Sequence, residues 1–138
     1  MTAYRTSRRV EFRDTDAAGI AHFSVFFNMM ESAEHELLRS LGTSVITADE
    51  SGTISWPRVA ARCDYSGVAH FEDVLEISVR VARLGEKSAT YAFLFERDGA
   101  SIAEGQITAV CCRLFDKKPP QSIPIPDAVR NALAPFVS

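Results

Sequence analysis

Long apolar runs are missing from this sequence of 138 residues: none approaches the roughly 20 residues that a bilayer-spanning helix needs. That shortage excludes a helical membrane span. Cysteine is scarce as well. Cys63, Cys111 and Cys112 are odd in number and none forms a CxxC pair, which argues against a disulfide framework and against a zinc knuckle. They read as reduced packing residues, with Cys111 and Cys112 directed to opposite faces of a strand-like stretch. There is no excess of positive charge, and a formal net charge of −3 offers no broad electrostatic footprint for nucleic acid, although local basic clusters remain possible. The stretch Met1 to Arg9 lacks the apolar core and small-residue cleavage site of a signal peptide, so the expected location is the cytoplasm.

What is present is enough for a core. Hydrophobic residues make up 46% of the chain and include nine phenylalanines, which excludes a disordered polymer. The length suits one domain, residues 1–138, burying roughly two thirds of the surface its unfolded form exposes. No internal repeat interrupts it.

Val10 and Phe12 alternate with Arg9, Glu11 and Arg13, which reads as a short strand ending in the polar turn Asp14-Thr15-Asp16-Ala17-Ala18-Gly19. The period then changes. From Ser24 to Leu41 the residues Phe26, Met29, Met30, Ala33, Leu37 and Leu41 recur at helical spacing, with Gly42 as the stop. Val25, Phe27 and Leu38 widen the apolar stripe, so the helix is expected to be enclosed on most of its circumference.

Four later runs alternate with period two: Pro57 to Tyr65, Leu75 to Val81, Ala89 to Phe95 and Ala103 to Cys111. In the first, Pro57, Val59, Ala61, Cys63 and Tyr65 share a face. Asp98-Gly99 reads as a tight hairpin between the last two runs, and Gly85 as a turn between the second and third. The prolines around Lys117-Lys118-Pro119-Pro120 read as a break before a last amphipathic segment, Asp127 to Phe136. The fold class is α+β: one long central helix wrapped by a five- or six-stranded antiparallel sheet.

The stretch Phe12 to Phe23 gathers two carboxylates, a glycine and a histidine between a strand and a helix start. Free amides and the positive dipole end of a helix can stabilise a developing oxyanion, and a carboxylate beside them can act as nucleophile or as base toward water. Gly19 allows the turn to approach a ligand closely. An ordinary capping turn uses the same residue types. A metal site from Asp14, Asp16 and His22 is conceivable, but their spacing matches no recognised ligand set.

Asp14-Thr15-Asp16-Ala17-Ala18-Gly19-Ile20, followed by Phe26-Phe27 and Glu31-Ser32-Ala33-Glu34, resembles the signature of the hydroxybenzoyl-CoA thioesterase and YbgC-like branch of the hotdog-fold thioesterases. The resemblance runs from about Val10 to Phe115 and is most specific in the first forty residues. It implies that Asp16 is catalytic and that the backbone N–H of Phe23 polarises a thioester carbonyl, releasing a free acid and coenzyme A without metal or any cofactor beyond the CoA of the substrate. It implies that Glu31 reaches the acyl group bound to a neighbouring subunit; the plain alternative is a structural helix glutamate. His22 could bind substrate or orient water, or be a hydrogen-bonded structural residue. His22-Phe23 departs from the Tyr-His of YbgC-like relatives, and Glu72-Asp73 stands where many relatives have Gly-Asp, so substrate choice and the mouth of the site are open.

Met29, Met30, Tyr65 and Val68 are candidates for lining the acyl pocket. CoA phosphates call for basic side chains, and Arg83, Lys87, Arg113, Lys117 and Lys118 are the candidates, each otherwise an ordinary solvated charge. The resemblance also implies a homotetramer built as a dimer of dimers, with the site at a subunit interface. Two other activities fit the same frame: an enoyl-thioester hydratase or dehydratase, and a non-hydrolytic acyl-CoA binding module.

Overall fold

The computed structural model describes residues 2–138. In chain order the elements are β1 (Tyr4–Arg9), α1 (Val25–Ser40), β2 (Thr47–Asp49), β3 (Gly52–Ser55), β4 (Arg58–Tyr65), β5 (Val74–Leu84), β6 (Ser88–Arg97), β7 (Ala100–Val110), β8 (Cys112–Phe115), β9 (Lys118–Ser122) and α2 (Asp127–Leu133). Alternation and tight turns make β5, β6 and β7 an antiparallel meander. Asp98 and Gly99 both take positive φ, 51° and 81°, the geometry whose twist matches the flanking strands of a two-residue hairpin. With β1 and β4 at its edges, the main sheet has the order β1-β5-β6-β7-β4.

One face of this sheet carries Leu75, Ile77, Val79 and Val81, then Ala89, Tyr91, Phe93 and Phe95, then Ala103, Ile107 and Ala109, all buried. Helix α1 covers it with Phe26, Met29, Met30, Ala33, Leu37 and Leu38, and Phe26 meets Phe95 edge-on at 5.1 Å between ring centres. The closest approach is at Gly105, where an added Cβ would collide with the Met30 thioether and stand 3.2 Å from the Arg62 carbonyl oxygen. Gly105 is therefore the position in β7 that lets the helix descend onto the sheet.

Several expectations need correction. The first strand lies earlier than the alternation of Val10 and Phe12 suggests: β1 pairs with β5 from Tyr4 to Arg9, while Phe12 begins a short 3-10 turn and is 79% exposed. Helix α1 is 16 residues long and buried on one side only, because a five-stranded sheet covers one face; Asn28, Glu31, Ser32 and Arg39 are exposed. Instead of one sheet of five or six strands there are two, since β2-β3-β8-β9 forms a separate small antiparallel sheet. Its outer member β9 contains Pro119 and Pro120, tolerated because an edge strand need not donate on both sides.

In β4 a register irregularity between Arg58 and Ala60 breaks the simple alternation: Arg58 now pairs with buried Ala109, as Ala61 does with buried Ile107, so Arg58 points to the helix side. The expected face shared by Pro57 and Val59 with Ala61 does not survive this bulge.

The C-terminal segment folds back onto β5, where Ser138 N–H donates to the Val81 carbonyl at 3.1 Å. Arg130 donates to the carbonyls of Gly85 and Glu86, at 2.7 and 3.0 Å, and so braces the β5–β6 turn.

Candidate active site

The link between β1 and α1 is held by local bonds and by the segment that leads into β5. Val10 N–H donates to the Asp73 carbonyl at 2.7 Å, and Ala21 N–H to the Ala69 carbonyl at 2.8 Å. Asp14 closes a reciprocal capping box with Glu11, accepting its N–H at 2.8 Å on Oδ2. Asp16 sits in the following turn: its N–H donates to the Ile20 carbonyl at 2.9 Å and its carbonyl accepts from Gly19 N–H at 3.0 Å. Gly19 has φ of 80°, which a residue with a side chain adopts only under strain.

The two aspartates are alike in what is left over: each carboxylate takes one backbone N–H, Asp14 on Oδ2 from Glu11 and Asp16 on Oδ1 from Ala18, both at 2.8 Å, and among the described residues the second oxygen of each has no protein partner. They differ in place, since Asp14 closes the cap of the 3-10 turn and Asp16 lies in the Gly19 turn that follows it. Just ahead of α1, the Phe23 N–H likewise has no acceptor among the described residues. The Phe23 carbonyl accepts from the Tyr65 hydroxyl at 2.7 Å, and the Tyr65 ring meets Phe26 edge-on at 5.3 Å. Tyr65 thus ties β4 to the helix start. Burial pushes its phenol up to about 12, so it remains a donor at neutral pH.

His22 stacks on Phe23 with 4.5 Å between ring centres. Its Nδ1 lies 2.7 Å from Ser24 Oγ and accepts the Ser24 N–H at 3.2 Å, so the neutral ring carries its proton on Nε2.

A second polar group lies further along the helix. Arg58 donates to Glu34 Oε2 at 2.9 Å and stands 3.8 Å from Glu31 Oε2, with His35 Nε2 at 3.4 Å. Glu34 is 1% exposed and its Oε1 has no partner among the described residues, whereas the Glu31 side chain is 56% exposed. Burial raises the pKa of Glu34 despite the opposing pull of Arg58, and burial lowers that of His35. Glu34 enters the sequence reading only as the last residue of the Glu31-Ser32-Ala33-Glu34 motif, with no role of its own, although it lies four residues after Met30 and three before Leu37, inside the apolar stripe. Arg58 could not have been found, since its direction depends on the bulge.

The structure brings Asp16, Gly19, His22, Phe23 and Tyr65 together at the end of the main sheet where β5 begins. Arg83 and Lys87 lie at the other end, where β5 ends and β6 begins. Eleven residues of β5 separate the two ends, roughly 30 Å. Lys117 and Lys118 stand at the β8–β9 turn, and Arg113 is occupied by a bidentate bond to Asp49 at 2.8 and 3.1 Å. Within one chain these five cations do not rim the Asp16 turn.

Residues 10–133 match the family model described as the thioesterase-like superfamily. The chain belongs to that superfamily. It is an enzyme of the thioester-hydrolase class, with the hotdog fold in its α+β form. A 1,4-dihydroxy-2-naphthoyl-CoA hydrolase of Synechococcus elongatus is 25% identical over 134 residues, covering 96% of each chain. The acyl-CoA thioesterase YbgC of Haemophilus influenzae is 23% identical over 111 residues, covering 80% of this thioesterase and 82% of the relative. Among solved structures, a gentisyl-coenzyme A thioesterase superposes with a TM-score of 0.80 at 28% identity, covering 94% of this chain and 99% of that one. No helix among the described residues is long and apolar enough to cross a membrane.

Proposed function

We propose that this thioesterase hydrolyses an acyl-CoA to the free acid and coenzyme A, with Asp16 as the reacting carboxylate. The observation that carries the reading is the pairing of a carboxylate held by one oxygen, with its second oxygen free, and an unpaired amide at the start of α1. In this scheme the Phe23 N–H donates to the thioester carbonyl and stabilises the oxyanion as it forms. Asp16 Oδ2 either attacks the carbonyl carbon, giving an anhydride that water then opens, or removes a proton from the attacking water. Both routes break the C–S bond and expel the CoA thiolate, and neither uses a metal or a further cofactor.

His22, with Nε2–H outward from its Ser24 anchor, is suited to donating to substrate or water, and Gly19 keeps the turn free of a side chain near the acyl group. Tyr65 acts by holding the Phe23 peptide, with its ring beside the acyl path.

The acyl class we favour is a hydroxylated aromatic acid. It is the class named for the 1,4-dihydroxy-2-naphthoyl-CoA hydrolase and the gentisyl-CoA thioesterase among the relatives. Glu31, exposed on the open side of α1, would accept a hydrogen bond from the ring hydroxyl of an acyl group bound to a neighbouring subunit. A homotetramer built as a dimer of dimers also suits the basic residues: Arg83, Lys87, Lys117 and Lys118, remote from Asp16 in their own chain, could meet CoA phosphates at a neighbour's site. Arg113 could join them only by releasing Asp49.

Asp16→Asn keeps the shape and removes the charge, and should lower kcat roughly a hundredfold or more, about 2.7 kcal/mol of barrier, in a thiol-release assay. Asp14→Asn should lose far less, because in this scheme the reacting carboxylate is Asp16 and Asp14 serves to close the cap with Glu11. Equal losses in the two variants would refute this assignment of roles.

A further inference from the structure

We infer that Arg58 is the positioning residue for Glu31, anchored from below by the buried Glu34, and that it sets the preference for a hydroxylated acyl group. This rests on the thioesterase reading above and adds to it a device that selects the acyl group.

Glu31 and Glu34 are three residues apart on one side of α1, and Arg58 stands between them: 2.9 Å from Glu34 Oε2 and 3.8 Å from Glu31 Oε2. Two unlike environments meet at this guanidinium. Glu34 is 1% exposed, so its bond to Arg58 is shielded from water, while Glu31 is open to solvent. A surface glutamate alone would sample many rotamers and lose side-chain entropy on meeting a ligand. Beside a cation that is itself held by Glu34, its carboxylate has a preferred direction, which makes it a ready acceptor for a ring O–H.

The β4 bulge supports this. Without the irregularity between Arg58 and Ala60, alternation would turn Arg58 to the opposite face of the sheet, away from both glutamates. β4 is also an edge strand of the main sheet with its outer side unpaired among the described residues, so the cluster borders open space where a neighbour's acyl group could enter.

Removing Arg58 alone would leave a buried charge on Glu34 and risk misfolding. The test therefore compares Glu34→Gln, whose amide oxygen can still accept from Arg58, with the double variant Glu34→Gln/Arg58→Gln, which has no buried charge to strand. For each, kcat and KM are measured by thiol release with 4-hydroxybenzoyl-CoA and with benzoyl-CoA, and folding is checked by thermal melting. The expected result is that the hydroxybenzoyl-to-benzoyl ratio of kcat/KM falls about tenfold in the double variant, mainly through KM, and stays near the wild-type ratio in Glu34→Gln. Adding Glu31→Gln to the double variant should lower the ratio little further, since the two act as one unit. A double variant with the wild-type ratio, or an equal loss on both substrates, overturns the proposal. So does a wild type that hydrolyses both alike, which leaves the thioesterase reading standing. Absence of thiol release from any acyl-CoA would instead fail that reading, and the proposal with it.

Discussion

Asp16 lies just ahead of α1 and Glu34 lies on its buried side, and the chain treats these two carboxylates in different ways. Asp16 is partly exposed, with Oδ1 held by the Ala18 N–H and Oδ2 without a partner among the described residues. Glu34 is withdrawn from water, with Oε2 held by Arg58 and Oε1 left over in the interior. One spare oxygen can meet a substrate, and the other meets only protein. In the proposed scheme, what would separate the reacting carboxylate from the structural one is not its hydrogen-bond count but whether the side chain reaches solvent. Asp14, with the same side chain two residues before Asp16, also has one oxygen on a backbone N–H and one left over, so only its place at the cap of the 3-10 turn distinguishes it.

The comparison breaks most severely at Arg58. Arg58→Met should destabilise the fold by about 3–5 kcal/mol at pH 7, because it strands the Glu34 charge in a dry environment. Urea unfolding measures this, and Glu34→Leu/Arg58→Met should recover most of the loss, since neither charge is then buried. A double variant as unstable as the single one would mean that packing, not charge, is at stake.

A smaller effect tests the Asp16 side. Tyr65→Phe removes the donor to the Phe23 carbonyl and should cost about 1 kcal/mol of stability. It should also lower kcat about fivefold with little change in KM if that bond holds the neighbouring Phe23 N–H on target. A change confined to KM would assign Tyr65 to substrate contact instead.

The smallest effect is a pH slope. Burial raises the folded-state pKa of Glu34 above its unfolded value, so its contribution is fully present below the ordinary carboxylate range and is lost as pH rises through the folded value. Wild type should therefore lose stability relative to Glu34→Gln as pH rises above the ordinary carboxylate range, read from urea midpoints at each pH. A slope of opposite sign would show that the Arg58 attraction outweighs desolvation.

Much of this was within reach of a reading of the chain, and the exceptions share a cause. The 3.6-residue stripe from Phe26 to Leu38 and the period-two runs of β5, β6 and β7 are signals carried by neighbours along the sequence. The short strands β2, β3 and β9 carry no such signal, since three to five residues, two of them prolines in β9, do not establish a period. The stretch around Val10 misled for another reason: Val10 is fully buried after the strand has ended, and Phe12, exposed, packs edge-on to Phe71 at 6.0 Å. The five cations were grouped by their places at strand ends, but a strand has two ends, and residue type does not say which one a turn occupies.

By itself the sequence determined the helix and its apolar stripe, the meander, the Asp98-Gly99 hairpin, and the junction that sets Asp16 and Gly19 ahead of a helix start. All of these follow from short-range rules of periodicity, turn chemistry and capping. Tertiary structure alone decided the rest: that Arg58 turns inward, that Glu34 is sealed beneath it, and that the basic residues lie far from the turn. Each of these depends on the register of strands or on which atoms meet across the fold. A one-residue bulge is enough to send a side chain to the other face.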